Sequence, residues 1–149
     1  PLWSGSSYAV CYPCPVCCAV AAVGVGLSMT LARDFLLAAE VAKCGFVFSQ
    51  RGLTPEACST WFLPRAVGMQ KVLEWVYSGD IFLAEEGLEA GLFRSLHGKE
   101  EVLDAALALA RKLITKSSPV SVALAKQMLW RHPTFDHPMP AHAGESRIT

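Results

Sequence analysis

Two features of the sequence could take part in chemistry: the glycine turn Gly24-Val25-Gly26 and the carboxylate of Glu56. Glycine lets the backbone turn tightly and approach a ligand closely. The turn leads into a helix-forming run, Leu27–Ala32, and the start of a helix presents unpaired N–H groups with partial positive charge. Such amides suit a ligand oxygen that gains negative charge during a reaction. A carboxylate in the same region could move the proton.

Each feature also has a purely structural interpretation. A glycine-bounded helix start more often reflects packing than an anion site. A single glutamate in the first turn of a helix is commonly a surface residue that the helix dipole favours. The residue types alone therefore leave both interpretations open.

The elements that must position these residues follow from apolar runs and helix signals. Thr54 is a candidate N-cap, Pro55 falls at the favoured first helical position, and Glu56 suits the first turn of a helix that continues to Leu63. Apolar runs predict strands at Pro15–Val20, Asp34–Ala39, Ala42–Phe48 and Phe93–His97. Further helices are predicted at Gly68–Ser78, Ala84–Ala90, Glu100–Lys116 and Val120–Arg131. The helix at Glu100–Lys116 carries one apolar stripe, formed by Val102, Ala106, Leu109, Ala110 and Leu113.

Four stretches of the chain carry a specific resemblance: AAVGVGLSMTLARDFLLAAEVAKCGF, GLTPEACSTWFLPRAVGMQKVLEWVYSGDIFLAEEGLEAGL, PVSVALAKQMLWRH and HPTFDHPM. They resemble the central to C-terminal portion of the crotonase superfamily, the enoyl-CoA hydratases and isomerases, over most of residues 19–147. The resemblance implies a chain truncated at both ends. The chain also lacks the Asn-Gly turn that usually follows the first strand in this family, since Val20 runs directly into Ala21.

The fold that this resemblance implies is α/β, an incomplete crotonase-like spiral of short strands and helices (a partial ββα superhelix). We expect an irregular N-terminal segment at residues 1–14, the partial crotonase-like domain at 15–132, and a loose C-terminal tail at 133–149. Family members assemble as trimers or hexamers. A homo-oligomer is therefore an open expectation for this chain.

The resemblance also assigns roles to residues. Crotonase-family enzymes hold the thioester oxygen of an acyl-CoA between two backbone N–H donors, and the N–H of Val25, between Gly24 and Gly26, would be one of them. The second donor comes from a segment with no counterpart here. Phe48 and Pro55 would lie beside the substrate.

The catalytic acids of the family depart from the hydratase pattern. The two hydratase glutamates fall at Ser28 and Phe48, and neither side chain can act as a general base. The single carboxylate of some isomerases falls on Glu56. The sequence therefore favours an enzyme of acyl-CoA or fatty acid metabolism that shifts a double bond, an isomerase, over one that hydrates it, a lyase. A catalytically inactive remnant that binds or assembles is the alternative. Apart from the coenzyme A thioester as substrate, no cofactor is implied.

Cysteines and charge define the remaining possibilities. The spacing Cys11-x2-Cys14-x2-Cys17-Cys18 could clasp zinc or an iron–sulfur cluster, but no second pair follows. Buried, reduced thiols of an intracellular protein are the favoured interpretation, with no metal. Residues 8–32 are apolar enough to leave a membrane span open, although prolines argue against it. A formal net charge of zero offers no field for nucleic acid. The expected compartment is the cytoplasm, or a mitochondrion or peroxisome in a eukaryote.

Overall fold

The computed structural model describes residues 14–146 of the 149-residue chain. The expected irregular segment 1–14 therefore lies outside the described residues except for Cys14. The described chain divides into two compact units, Cys14–Arg111 and a second unit of which residues 112–146 are described. This division falls within the domain predicted at 15–132.

The first unit contains six short strands and five helices in mixed order, the α/β class that the sequence predicts. The strands are β1 (Pro15–Cys18), β2 (Ala21–Val23), β3 (Phe35–Ala39), β4 (Lys43–Gly45), β5 (Ile81–Leu83) and β6 (Ser95–His97). The helices are α1 (Val25–Ser28), α2 (Ser59–Val67), α3 (Met69–Ser78), α4 (Ala84–Glu89) and α5 (Val102–Thr115), the last of which crosses the unit boundary. The strands β2 and β5 were not predicted as separate elements.

Two three-stranded sheets organise this unit. One has the order β1-β3-β6 and is parallel throughout, with Cys17 paired to Leu37 and Leu37 to Ser95. The other has the order β2-β4-β5, in which β2 and β4 are parallel and β4 and β5 antiparallel. From β1 to β4, successive strands therefore alternate between the two sheets. The glycine turn follows β2, which is an edge strand of the second sheet.

The core of the unit forms from the faces that the apolar periodicity indicates. Leu37 of β3 packs with Val102 and Ala106 of α5 in a buried cluster, as the stripe on the predicted helix Glu100–Lys116 requires. A second contact set is aromatic: the rings of Trp75 and Phe82 stack with centroids 4.1 Å apart. Burial of these side chains provides the main stabilisation of the sheets and helices around the site.

Helices α2 and α3 are joined by a single residue. Gly68 has φ +80°, a backbone conformation that residues other than glycine rarely adopt. It is the C-cap of α2 and the N-cap of α3. Pro64 lies inside α2, whereas the sequence predicts that the helix ends there. Pro64 has no N–H to donate to the carbonyl of Thr60, four residues earlier, so the helix continues past it with one hydrogen bond fewer.

The described part of the second unit contains two further helices, α6 (Pro119–Arg131) and α7 (Pro138–Glu145). Each begins with a proline, which suits the first helical position because its missing N–H would be unpaired there in any case. The His137 side chain accepts a hydrogen bond from the Met139 amide and caps α7. The region predicted as a loose tail at 133–149 thus includes a regular helix.

Candidate active site

The glycine turn is held by the second sheet. β2 ends at Val23, and Gly24 then adopts φ +59° and ψ −127° while its N–H donates to the Gly45 carbonyl at 2.8 Å. A Cβ on Gly24 would meet only Val47, at an ordinary 3.8 Å. The turn therefore requires glycine for its backbone conformation and not for lack of space.

The helix after the turn begins earlier and is shorter than the sequence predicts. It is α1, Val25–Ser28, in place of Leu27–Ala32. The amides of Leu27 and Ser28 both donate to the Gly24 carbonyl, at 3.2 and 3.1 Å. Among the backbone hydrogen bonds of residues 14–146, the amides of Val25 and Gly26 donate to no carbonyl, and both residues are exposed. The turn thus presents two adjacent N–H groups, although four residues generate only a small helix dipole.

Glu56 does not lie in a helix. It precedes two residues with left-handed backbone, Ala57 at φ +54° and Cys58 at φ +58°, and α2 begins only at Ser59. The prediction that Thr54 caps this helix and that Glu56 occupies its first turn is wrong, because consecutive left-handed residues cannot continue a right-handed helix. The Glu56 carbonyl accepts from the Ser59 amide at 3.0 Å, and the residue is exposed.

Phe48 and Pro55 lie in different surroundings from each other. Phe48 is 5% exposed and its carbonyl accepts from the amides of Arg51 and Leu53, which closes a tight loop before Glu56. Pro55 is half-buried and forms part of the wall of a cavity between α2 and α3. Neither Val25 nor Glu56 lines that cavity. The roles predicted for Gly24, Val25, Gly26, Phe48, Pro55 and Glu56 remain predictions.

The positions that the resemblance assigns to the hydratase glutamates are both inside the protein. Ser28 is fully buried (0% exposed), and among the described residues its Oγ has no hydrogen-bond partner. The other position, Phe48, packs as an apolar residue. Both positions are therefore buried, and neither carries an ionisable side chain.

The cysteines do not form a metal centre among the residues that the structure describes. No group of three or more His, Cys, Asp or Glu side chains there could hold a metal ion, and Cys11 lies outside the described residues. Burial, followed by the nearby Cys18, raises the pKa of the Cys44 thiol to about 12, although a backbone hydrogen bond from Ala22 opposes the shift. Cys44, which stands outside the spacing from Cys11 to Cys18, is therefore held as a neutral thiol.

Two groupings were not anticipated from the sequence. His97 lies at the end of β6, within the strand predicted at Phe93–His97, but the sequence did not indicate that its Nε2 lies 2.8 Å from the Ser95 hydroxyl. Ser59, at the start of α2, is 2% exposed and lines the cavity beside Pro55. No sequence signal distinguishes Ser59 from other serines at helix starts, since its burial depends on α3 packing across it.

Comparison with known proteins identifies the class of protein that this fold and site define. The enoyl-CoA hydratase/isomerase family model matches residues 6–143. The chain therefore belongs to the enoyl-CoA hydratase/isomerase family. Within the described part of the chain, no helix is long and apolar enough to cross a membrane.

Individual relatives include both activities of that family. The chain is 37% identical over 126 residues to the enoyl-CoA hydratase AFT3-1 of Alternaria alternata, covering 84% of this chain and 42% of the relative. It is 35% identical over 119 residues to the 1,2-epoxyphenylacetyl-CoA isomerase of Escherichia coli K12, covering 78% of this chain and 45% of that enzyme. The chain thus spans somewhat less than half the length of both relatives.

A solved structure confirms the crotonase-like fold. A candidate enoyl-CoA hydratase from Thermobifida fusca YX, crystallised in complex with acetoacetyl-CoA, superposes with a TM-score of 0.88 over 95% of this chain and 55% of that one. At 18% identity this likeness concerns the fold alone. The chain therefore has a crotonase-like fold and spans about half the length of that structure.

Proposed function

We propose that this chain takes part in acyl-CoA chemistry as part of an enzyme that moves the double bond of an enoyl-CoA. The observation that carries the proposal is the pair of exposed amides at Val25 and Gly26, which donate to no backbone carbonyl of the described residues. They follow a glycine turn in a chain whose family acts on CoA thioesters. An oxygen that gains negative charge is the ligand that such amides stabilise.

The proposed reaction needs one base and one oxyanion site. Glu56 removes a proton from the carbon adjacent to the thioester carbonyl, and the electron pair of the broken C–H bond moves to the carbonyl oxygen. The Val25 amide donates to that oxygen, the double bond shifts, and the same carboxyl returns the proton to a more distant carbon. Isomerisation is favoured over hydration because Ser28 and Phe48 supply no carboxylate to activate a water.

The carboxylate is tested by substitution with a matched control. An enoyl-CoA is incubated with the purified chain, and isomers are separated by chromatography. Glu56→Gln removes the base, and we expect a loss of about 100-fold or more, since positioned proton transfer contributes about 10²–10⁴-fold. Glu85→Gln removes a second exposed carboxylate, on α4, and should leave the rate unchanged. Equal rates for the two variants would eliminate Glu56 as the base.

The oxyanion donor is tested by removing one N–H. Val25 is the first residue of α1, a position that tolerates proline, so Val25→Pro deletes the amide donor while Val25→Ala keeps it. Loss of such a donor costs about 10²–10³ in kcat. We therefore expect Val25→Pro, and not Val25→Ala, to lose turnover. The same small change in both variants would argue against this amide.

A second candidate function is binding without catalysis. It is favoured by Ser28 and Phe48, which stand where the resemblance places the two hydratase glutamates and cannot act as general bases. This alternative predicts acyl-CoA binding or self-assembly, as a trimer or hexamer, with no turnover. Equilibrium dialysis with acetoacetyl-CoA and sedimentation analysis distinguish it from the isomerase, because they detect binding and assembly when no product forms.

A further inference from the structure

The segment that carries Glu56 is attached to the first unit through a short turn. After β4 the chain forms one turn of 3₁₀ helix, Ser49–Arg51. The amides of Arg51 and Leu53 close this turn by donating to the Phe48 carbonyl, at 3.0 and 2.9 Å. The chain from there to Glu56 is neither helix nor strand. The position of Glu56 therefore depends on how this 3₁₀ turn is held on one side and on α2 on the other.

Gln50 joins the 3₁₀ turn to the connection between α3 and β5. Its Nε2 donates to the Ser78 carbonyl at 3.1 Å and lies 3.4 Å from Oδ1 of Asp80. A side-chain amide carries two N–H donors, so the same nitrogen can serve both acceptors. Ser78 is the last residue of α3 and β5 begins at Ile81. One side chain thus ties two separate turns of the chain together.

The glycine at position 79 lets these two turns approach each other. Gly79 is buried, although Ser78 and Asp80 on either side of it are exposed. A Cβ on Gly79 would lie 2.8 Å from Cγ of Gln50 and 2.8 Å from Oγ of Ser49, which is well inside van der Waals contact. Ser49 and Gln50 therefore pack directly on the backbone of the α3–β5 connection, and this contact restricts where the Gln50 amide can lie.

We propose that Gln50 is a positioning residue for Glu56, because it holds the 3₁₀ turn against the α3–β5 connection and so fixes the start of the segment that carries the carboxylate. The inference rests on the proposed isomerase function, in which Glu56 is the base. Gln50 acts only through the chain that it holds, since an amide is not among the side chains that titrate. A displacement of about 1 Å at a reacting group can cost about 100-fold in rate.

Two substitutions of Gln50 differ in whether they keep the donor. Gln50→Glu has nearly the same shape, but its carboxylate cannot donate to the Ser78 carbonyl and meets the carboxylate of Asp80. Gln50→Lys keeps N–H donors for both acceptors. Gln70→Glu is the matched control, the same chemical change at an exposed glutamine on α3. Gln50 is exposed as well, so none of these variants disturbs the core.

The kinetic test separates positioning from substrate binding. Initial rates of enoyl-CoA isomerisation provide kcat and KM for the parent and the three variants. We expect Gln50→Glu to lower kcat about 10-fold or more and to change KM less, because the proposed oxyanion donor, Val25, lies on a different turn. Gln50→Lys and Gln70→Glu should keep the parent values. No loss of kcat in Gln50→Glu, or an equal loss in Gln50→Lys, would overturn the proposal.

Amide hydrogen exchange, measured by NMR on the full chain, tests the same connection without turnover. In Gln50→Glu the amides of Arg51 and Leu53 should exchange about 3- to 10-fold faster than in the parent, the effect of one net hydrogen bond. The Ala42 amide, which donates to the Ala39 carbonyl, should be unchanged. Equal exchange in parent and variant would refute the connection through Gln50 even if the chain is an isomerase. Faster exchange in a chain without turnover would instead refute the proposed function and retain the connection.

Discussion

Ser28 stands at the first of the two positions that the resemblance assigns to the hydratase glutamates, and substitutions there test whether this position is part of the core. The side chain is 0% exposed and its Oγ is unpaired among the described residues. A buried hydroxyl without a partner costs about 1–3 kcal/mol. Ser28→Ala should therefore raise the free energy of unfolding by about 1 kcal/mol beyond the effect of helix propensity.

The propensity contribution is measured separately. Ser121 is exposed on α6, and Ser121→Ala reports the helix propensity difference of about 0.5 kcal/mol without any burial. Urea unfolding followed by circular dichroism provides the free energies for the parent and both variants. A parent more stable than Ser28→Ala would mean that the hydroxyl has a favourable partner.

Ser28→Glu restores the acid of a hydratase at the same position. If the site is core, a buried carboxylate without a partner should destabilise the protein by about 3 kcal/mol or more at neutral pH. Burial raises the pKa of the introduced carboxyl above its usual value near 4.3. The unfolded chain then loses its proton first, so stability relative to the parent is retained below about pH 4.3 and decreases as pH rises.

Unfolding of Ser28→Glu at about pH 4 and about pH 8 checks this sign. A variant that equals the parent in stability at both pH values would refute the reasoning. The side chain would then have to reach solvent or a polar site, as a catalytic glutamate does.

Two further substitutions test the packing around α4. In Gly87→Ala the new Cβ would lie 2.5 Å from Phe93, which is 2% exposed and cannot move away, so we expect the free energy of unfolding in urea to fall by about 1–3 kcal/mol. Gly26→Ala is the control, because the space around its Cβ is open, and it should raise the free energy of unfolding by up to about 1 kcal/mol. Equal effects of the two substitutions would contradict the packing described. The Lys71 ammonium, 2.8 Å from Glu86, is the main cause that lowers the pKa of Glu86 below 4.5. The ion pair of Lys71 and Glu86 stabilises the fold above pH 4.5, and this stabilisation decreases as the pH falls through the folded pKa of Glu86. Glu86→Gln should therefore reduce the fall in melting temperature on the acid side. An unchanged pH profile would exclude a contribution from this pair.

Local patterns were sufficient for much of the fold. The stripe on the helix predicted at Glu100–Lys116 identified Val102 and Ala106 as the buried face of α5, because helical periodicity determines which residues can share one face. The glycine at position 24 marked a turn that only glycine adopts easily. Specific stretches of sequence also identified the crotonase-like family, since they record a whole pattern of contacts and not one local preference.

The candidate site depended much more on tertiary structure. Thr54, Pro55 and Glu56 match every local signal of a helix start, yet the helix begins at Ser59 after two left-handed residues that are not glycine. Such a backbone costs energy that only contacts with the rest of the fold can offset. Burial of Ser28 and the cavity beside Ser59 likewise arise where separate elements meet. The sequence by itself therefore determined the family, the helix faces and the glycine turn, which depend on neighbouring residues. Only the tertiary structure decided which polar groups are enclosed, because enclosure depends on residues distant in the chain.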